Sequence, residues 1–194
     1  EFIKDGQYNT QQVDIEKRNC YRFCDRQTSG FPKQIELFSK TPDIIEIHAD
    51  AHLTPIPLEE GLSSLSAILL NDEYYNYTIK HSIFKDNIHL ANIEAIICLK
   101  AVAFLDNRKR KENGQDIRTR DIVKHKHDIF RMVLLLTPED IFDLTETIKS
   151  DMQRFVDIVK IEMPDPSIFS DKGFGKQNPN EVLNKILKSF NLNH

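Results

Sequence analysis

Residues 95–105 read AIICLKAVAFL, an apolar stretch of helical character in which Lys100 is the only charged residue. On a helical wheel Lys100 falls at the centre of an apolar stripe, where an ammonium group must reach water along its stem, pair with a buried acid or point into a cleft. The stretch therefore predicts a packed helix whose cation is either a structural side chain or a ligand for phosphate or carboxylate. The stripe consists of Ile93, Ile96, Ile97 and Phe104.

Helical periodicity continues on both sides of this stretch. The central helix is predicted from about Asn92 to Lys111, because Asn113-Gly114 is a common C-terminal signal. Capping residues and proline in the first turn place the starts of the other helices. These are predicted from Ser63 or Ser64 to about His81, from about Arg118 to Leu136, from Thr137 to about Met163, and from Asn178-Pro179 to about Phe190, with residues 164–179 as a loop.

The first third of the chain is predicted to be strand-rich. Strands are expected within 12–24, 34–39 and 44–56, with turns at 30–32 and 41–43. Pro55 and Pro57 exclude the third strand from the centre of a sheet. Short connections favour antiparallel pairing, so the expected class is α+β, a small mostly antiparallel sheet followed by a helical bundle-like domain. The corresponding domains are 1–60 and 61–194.

Composition limits the kind of protein. The chain has 194 residues, a net charge of −4 and 40% hydrophobic residues, which excludes wholesale disorder. Three cysteines are too few and odd in number for a disulfide scaffold, and we expect no secretory signal peptide, so free thiols in a cytoplasmic protein are the expectation. No apolar run approaches the ~20 residues that cross a bilayer, so no membrane partner is expected.

Charge is distributed unevenly along the chain. Residues 100–131 carry 10 Lys and Arg against 5 Asp and Glu, whereas residues 132–171 carry 3 against 9. The basic segment is suited to attracting phosphate. The alternative is that two solvated helices of opposite charge pack together.

Two further carboxylates are candidate site residues. Glu36 stands in the apolar strand QIELFS and is either an exposed-face residue that pairs with Arg22 or, with other acids, a ligand for Mg²⁺. Asp128 lies four residues after Lys124, a spacing typical of a surface ion pair on a helix. No Gly-rich phosphate loop, no nucleophile elbow and no D-x-D pair of acids occurs in the sequence.

Two segments resemble the nucleotidyltransferase-like AbiEii/AbiGii toxin family. They are residues 96–108 (IICLKAVAFLDNR) and 124–132 (KHKHDIFRM). The family carries a helix with a lysine and, farther on, an arginine. A following helix reads roughly basic-acid-x-x-D-h, where h is apolar; Lys100, Arg108 and Asp128 match these positions. Two further segments, 31–39 (FPKQIELFS) and 63–75 (SSLSAILLNDEYY), resemble a Bacteroidetes-type branch of the family.

The resemblance covers about 21–136 and departs from the family pattern at two points. His125 stands where the family has an acid before the aspartate. The Gly-Ser turn and the D-x-D acids of the family are missing, and the sequence starts without Met, so we expect this chain to lack the N-terminal part of the family.

The resemblance implies a polymerase-β-like fold and metal-assisted transfer of a nucleotidyl group from an NTP in the complete protein, with Mg²⁺ and the nucleotide as cofactors. It implies that Glu36 completes the metal site, that Asp128 orients Lys100 or the attacking group, and that Lys100, with Arg108 and Lys124, binds the triphosphate. This chain alone would be inactive.

Two alternatives to an enzyme remain open at the level of sequence. One is a degenerate, non-catalytic module that binds a nucleotide, RNA or a partner protein on the same scaffold, which the missing acids favour. The other is an interaction protein of a toxin–antitoxin pair that uses the acidic segment 132–171.

Overall fold

The computed structural model describes residues 2–10, 22–40, 53–55, 66–86 and 88–193. The chain divides into two compact units, residues 1–75 and 76–194. The division predicted at residue 60 precedes the last strand of the first unit, Ser66–Leu69. Helices and small sheets are both present, which confirms the predicted class as a mixed helical and β-sheet protein.

The first unit begins with a short helix, α1 (Phe2–Asp5), and an antiparallel sheet. The sheet has the order β1 (Asn9–Thr10), β2 (Arg22–Cys24) and β3 (Gln34–Glu36). Arg22 lies opposite Glu36 in the register of β2 and β3, which confirms the antiparallel pairing expected of these two strands. Gly30 adopts a φ of +89° in the turn between them, a conformation that favours glycine.

A second sheet of the first unit is mixed. It has the order β4 (Phe38–Ser39), β6 (Ser66–Leu69) and β5 (Leu53–Pro55), with β4 parallel and β5 antiparallel to β6. The edge position of β5 agrees with the limit that Pro55 sets. The predicted strand 34–39 is divided between the two sheets, and the turn predicted at 41–43 lies outside the described residues.

The helix predicted from Ser63 or Ser64 is wrong in its first part. Residues 66–69 form β6, because pairing with two distant strands outweighs the helical pattern of a short apolar run. Helix α2 begins at Asp72 and ends at Lys80. Asn71 caps it, since its Oδ1 accepts a hydrogen bond of 2.8 Å from the Glu73 amide.

The second unit continues with an antiparallel hairpin that the sequence reading missed. The hairpin consists of β7 (Ser82–Lys85) and β8 (Ile88–Ala91), and Asp86 adopts a φ of +52° in the turn. Its base is closed by a 2.9 Å hydrogen bond from the Asn92 amide to the carbonyl of His81. His81 also stacks on Tyr77 and contacts the buried Glu94, with Nδ1 and Oε1 3.2 Å apart.

Helices form the rest of the second unit. Three predictions are confirmed within a few residues: the central helix, the one that follows it and the last one. The predicted loop 164–179 contains a one-turn helix, and Asn178 caps the last helix by accepting a bond from the Asn180 amide. The helices are α3 (Ile93–Glu112), α4 (Thr119–Val133), α5 (Glu146–Ile161), α6 (Ser167–Ser170) and α7 (Pro179–Ser189).

The start predicted for α5 at Thr137 is wrong. The Thr137 amide donates to the Asp140 carboxylate at 2.6 Å, which closes a local turn instead of starting a helix. The Phe142 amide donates to the carbonyl of Ser189, at the end of α7, at 2.8 Å. This long-range bond holds the segment in a non-helical conformation, so the helix begins only after Thr145.

The core of the second unit lies between α3, α4, α5 and α7. Phe104 of α3 meets Phe155 of α5 edge-on, with ring centroids 5.4 Å apart. Cys98 is fully buried in α3, and burial raises the pKa of its thiol. Among the described residues, no helix is long and apolar enough to cross a membrane. The fully buried phenylalanines are Phe104, Phe130, Phe155, Phe169 and Phe190.

Candidate functional site

Helices α3 and α4 form an antiparallel pair that carries most of the predicted site residues. Near the connecting loop, Lys111 donates a hydrogen bond to the hydroxyl of Thr119. Farther from the loop, in the middle part of both helices, Lys100 contacts Asp128. These two contacts fix the alignment of the helices, so residues far apart in sequence lie side by side.

Lys100, in the middle part of α3, forms a cluster with Asp128 and Arg131 of α4, which we call the Lys100 cluster. The Lys100 Nζ donates to Asp128 Oδ2 at 2.8 Å, and Arg131 Nη1 lies 3.4 Å from Asp128 Oδ1. Arg131 Nε also donates to the carbonyl of Ile168 in α6 at 2.9 Å. The exposed side-chain fractions of the three residues are 26%, 24% and 18%, so the groups are half-buried but still accessible to a ligand.

The Lys100 cluster carries one positive charge in excess, because two cations share one carboxylate. Half-buried charges are screened less by salt than exposed ones, so the excess is available to an incoming anion. A lysine ammonium has three N–H donors and an arginine guanidinium has five, and one carboxylate does not use them all. The structure thus brings Lys100 and Asp128 together, and it adds Arg131.

Two histidines of α4 lie beside this cluster. Burial lowers the pKa of His125 from its usual 6.5, and the charge of Lys100 lowers it further, against the opposing effect of Asp128. Lys124 and Asp121 also act on His125, with smaller effects of opposite sign. Burial, followed by Arg131 and Lys126, lowers the pKa of His127, and Asp128 opposes them. Both imidazoles are therefore held neutral near the excess positive charge.

Acid is expected to destabilise the second unit through these histidines. Since both pKa values are lowered from 6.5, the unfolded chain binds more protons than the folded chain as the pH falls below 6.5, and the free energy of unfolding falls with it. Urea denaturation measures the loss of unfolding free energy between neutral pH and pH 5. This loss is expected to be smaller in the double variant His125→Gln/His127→Gln than in the wild type. His89→Gln, on the exposed hairpin, serves as the control. An identical loss in the double variant and the wild type would contradict this expectation.

A second polar region lies near the loop that connects α3 and α4, in a cleft of about 400 Å³. Glu162, which follows the last residue of α5, accepts two hydrogen bonds of 2.9 and 2.7 Å from Arg108 Nη1. The Arg108 guanidinium also lies over the ring of Phe104, 5.6 Å from its centroid. Arg108 is therefore held by an internal carboxylate and an aromatic face, and it does not join Lys100.

Lys126 is the residue of this cleft that the sequence reading missed. Its side chain is buried, and its Nζ donates to the carbonyl of Glu162 at 2.7 Å, at the carboxyl end of α5. Burial lowers the pKa of Lys126, while Glu162 raises it and Arg108 lowers it. Lys126 follows Ile122 by four residues and precedes Ile129 by three, so helical spacing could have placed it on the buried face.

The surroundings of Lys124 and Glu36 differ from those that the resemblance implies. Lys124 is exposed. Among the described residues, it does not form the expected ion pair with Asp128. Asp128 pairs with Lys100 and Arg131 instead. Glu36 Oε1 accepts bonds of 2.6 Å from Arg22 Nε and 2.8 Å from Gln34. The pairing of Glu36 with Arg22 confirms one of the two interpretations of this carboxylate.

The described residues do not form a metal site by themselves. Within 2–10, 22–40, 53–55, 66–86 and 88–193, no group of three or more His, Cys, Asp or Glu side chains could hold a metal ion. Glu36, the predicted Mg²⁺ ligand, is engaged by a cation and an amide instead of by further acids. These residues therefore do not fit Mg²⁺, and no step of a reaction is assigned to it.

Comparison with known proteins leaves the chain without an assigned relative. No family model matches it, and neither the curated proteins nor the solved structures contain a significant match. The fold and the half-buried charges define the chain as a mixed helical and β-sheet protein with a cationic cluster on a helix pair.

Proposed function

We propose that the chain binds the phosphate groups of a nucleotide through the Lys100 cluster, as a portion of a nucleotidyltransferase-like protein. The observation that carries this proposal is the excess positive charge of two half-buried cations around Asp128. Phosphate is a suitable ligand because its charge-assisted hydrogen bonds are stronger than neutral ones, and an arginine fork matches its geometry. Asp128 holds both cations in position before a ligand arrives.

The choice of a nucleotide rests on the resemblance to the AbiEii/AbiGii toxin family. Lys100 and Asp128 match that family's motif positions, and they are the pair in contact on α3 and α4. Arg108 also matches, but its bonds to Glu162 mean that a ligand would have to compete for it. RNA or a cognate antitoxin protein as partners, and metal-assisted nucleotidyl transfer, are proposals that rest on the resemblance alone.

Within this proposal, the non-catalytic binding module is the better supported form. Binding needs only cations that are held in place, which α3 and α4 provide. Transfer of a nucleotidyl group needs acids that hold metal ions, and the described residues contain no such group. The chain would therefore bind the nucleotide without cleaving it unless residues beyond those described complete the site.

Calorimetric titration of the chain with nucleotides tests the proposal. ATP, GTP, CTP and UTP, each with Mg²⁺, are expected to bind, and inorganic triphosphate is expected to compete, because the phosphates supply the contacts. Adenosine, which lacks phosphate, is the matched control and is expected to bind at least tenfold more weakly. Binding of adenosine as strong as that of ATP, or binding of none of the four nucleotides, would contradict the proposal.

A further inference from the structure

The cleft near the α3–α4 loop combines charged and apolar side chains in one lining. Its volume of about 400 Å³ is within the range of sites that bind small molecules. Three cations and three apolar side chains contribute to the lining, so the cleft suits a ligand with a charged end and an apolar end. The six side chains are those of Arg108, Lys111, Lys126, Phe104, Ile122 and Val123.

The lining carries one positive charge in excess. Beside its three cations it contains two carboxylates, those of Glu112 and Glu162. The Glu162 carboxylate is neutralised by Arg108, which donates to both of its oxygens. Glu112 is exposed, so water and salt screen its charge. The cleft therefore favours an anion over a cation or a neutral molecule.

The three cations keep N–H donors for a ligand. A guanidinium has five N–H groups and an ammonium has three. Among the described residues, Arg108 donates hydrogen bonds only from Nη1. Within the same part of the chain, Lys126 donates one bond, to the carbonyl of Glu162. Lys111 likewise donates one, to the hydroxyl of Thr119. Each cation can thus accept a further bond partner without losing the one it has.

Lys126 brings a buried cation to this cleft. Its exposed fraction is 7%, and that of Ile122, one turn earlier on α4, is 6%. A charge in such surroundings is costly unless it is compensated, and one backbone carbonyl compensates an ammonium only in part. An anion that reaches the Lys126 Nζ is therefore attracted more strongly than it would be on an open surface.

We propose that this cleft binds a small organic carboxylate with an apolar body. The carboxylate contacts Arg108 and Lys126, and the body packs on Ile122 and Val123. A carboxylate is favoured because the cleft already holds one, that of Glu162, at 2.9 and 2.7 Å from Arg108 Nη1. The apolar wall favours an organic body, since inorganic phosphate would leave that wall uncovered. This inference is independent of nucleotide binding at the Lys100 cluster.

Two-dimensional NMR of the ¹⁵N-labelled full chain, titrated with 2-naphthoate, tests the proposal. The largest changes in chemical shift are expected at Arg108, Val123 and Lys126. This probe has about 13 non-hydrogen atoms, so a dissociation constant in the high-micromolar to millimolar range is expected. 2-Naphthylmethanol has the same rings without the charge, and acetate has the charge without the rings. Each is expected to bind at least tenfold more weakly.

Two variants remove one cation each from the cleft. Lys126→Met and Arg108→Met keep an apolar stem, and each is expected to raise the dissociation constant of 2-naphthoate at least tenfold. Lys109→Met is the matched control, because Lys109 is an exposed cation beside Arg108 in α3 that does not line the cleft. It is expected to bind as the wild type does. Circular dichroism shows whether each variant folds, and Arg108→Met, at a more exposed position, decides the test if Lys126→Met does not fold.

Three outcomes would overturn the proposal. The first is binding of 2-naphthylmethanol or acetate as strong as that of 2-naphthoate. The second is a set of shift changes that lies outside the cleft, the Lys100 cluster included. The third is wild-type affinity in the folded cleft variants. None of these outcomes bears on nucleotide binding, which is measured with other ligands at other residues.

Discussion

Lys100→Met is expected to weaken the binding of nucleoside triphosphates by about 1.5–3 kcal/mol, or roughly ten- to a hundredfold, the range for a lost charge-assisted hydrogen bond. Methionine retains the apolar stem that packs in α3 but removes the ammonium that Asp128 holds at 2.8 Å. Arg131 remains beside Asp128 in the variant, so the carboxylate keeps a cationic partner. The midpoint of thermal unfolding is therefore expected to change little. Calorimetric titration measures the first effect and a thermal melt the second.

Lys160→Met is the matched control for this experiment. Lys160 is also an ion-paired lysine on a helix of the second unit, with its Nζ 3.6 Å from Asp157. Because it lies outside the Lys100 cluster, its replacement is expected to leave nucleotide binding unchanged. If Lys100→Met bound nucleotides as the wild type does but melted at a lower temperature, Lys100 would have only a structural role.

Phe155→Ala is expected to reduce the free energy of unfolding of the second unit by about 3–5 kcal/mol, the usual cost of removing a buried aromatic ring. The ring is fully buried and meets Phe104 edge-on between α5 and α3. Its loss leaves a cavity between α3, which carries Lys100, and α5, which Glu162 follows. Urea denaturation followed by circular dichroism measures the change.

Ile161→Ala, on the same helix, is the control for the loss of the core ring. Ile161 is almost fully exposed, so its truncation is expected to change the free energy of unfolding by less than about 0.5 kcal/mol. Equal small effects of the two substitutions would mean that α3 and α5 do not pack as the structure describes.

Elements that depend on local signals could be predicted from the sequence. Helix α3 combines an apolar stripe with a clear stop at Asn113-Gly114, where Gly114 has a φ of +83°. The last helix is similarly marked by Asn178 and Pro179, a capping residue followed by proline in the first turn. In both cases the capping interactions lie within a few residues of each other, so no distant contact is needed to fix them.

Elements that depend on distant contacts could not be predicted in this way. Residues 66–69 become a strand only because 38–39 and 53–55 supply partners on both sides. Thr137-Pro138 has the pattern of a helix start, but the bond between Phe142 and Ser189 is invisible to a local reading. The hairpin at 82–91 was missed although two apolar-rich segments separated by two residues are a hairpin signal.

The contacts of the candidate site residues also differ in whether the local sequence could predict them. Lys100 was identified because a single charge in an apolar helix has to be compensated, and its partner proved to be Asp128. The partner of Arg108 was not foreseen, because Glu162 lies 54 residues away at the end of another helix. The expectation that Lys124 pairs with Asp128 failed, since the spacing permits that contact but two other cations make it instead.

The most direct test of the central claim is a titration of the ¹⁵N-labelled chain with Mg-ATP, followed by two-dimensional NMR. If the Lys100 cluster binds the phosphates, the largest changes in chemical shift occur at Lys100, Asp128 and Arg131, and the signals of Arg108 and Lys126 in the neighbouring cleft change less. Changes confined to the cleft, or the absence of any change at Lys100, Asp128 and Arg131 at saturating nucleotide, would contradict the account.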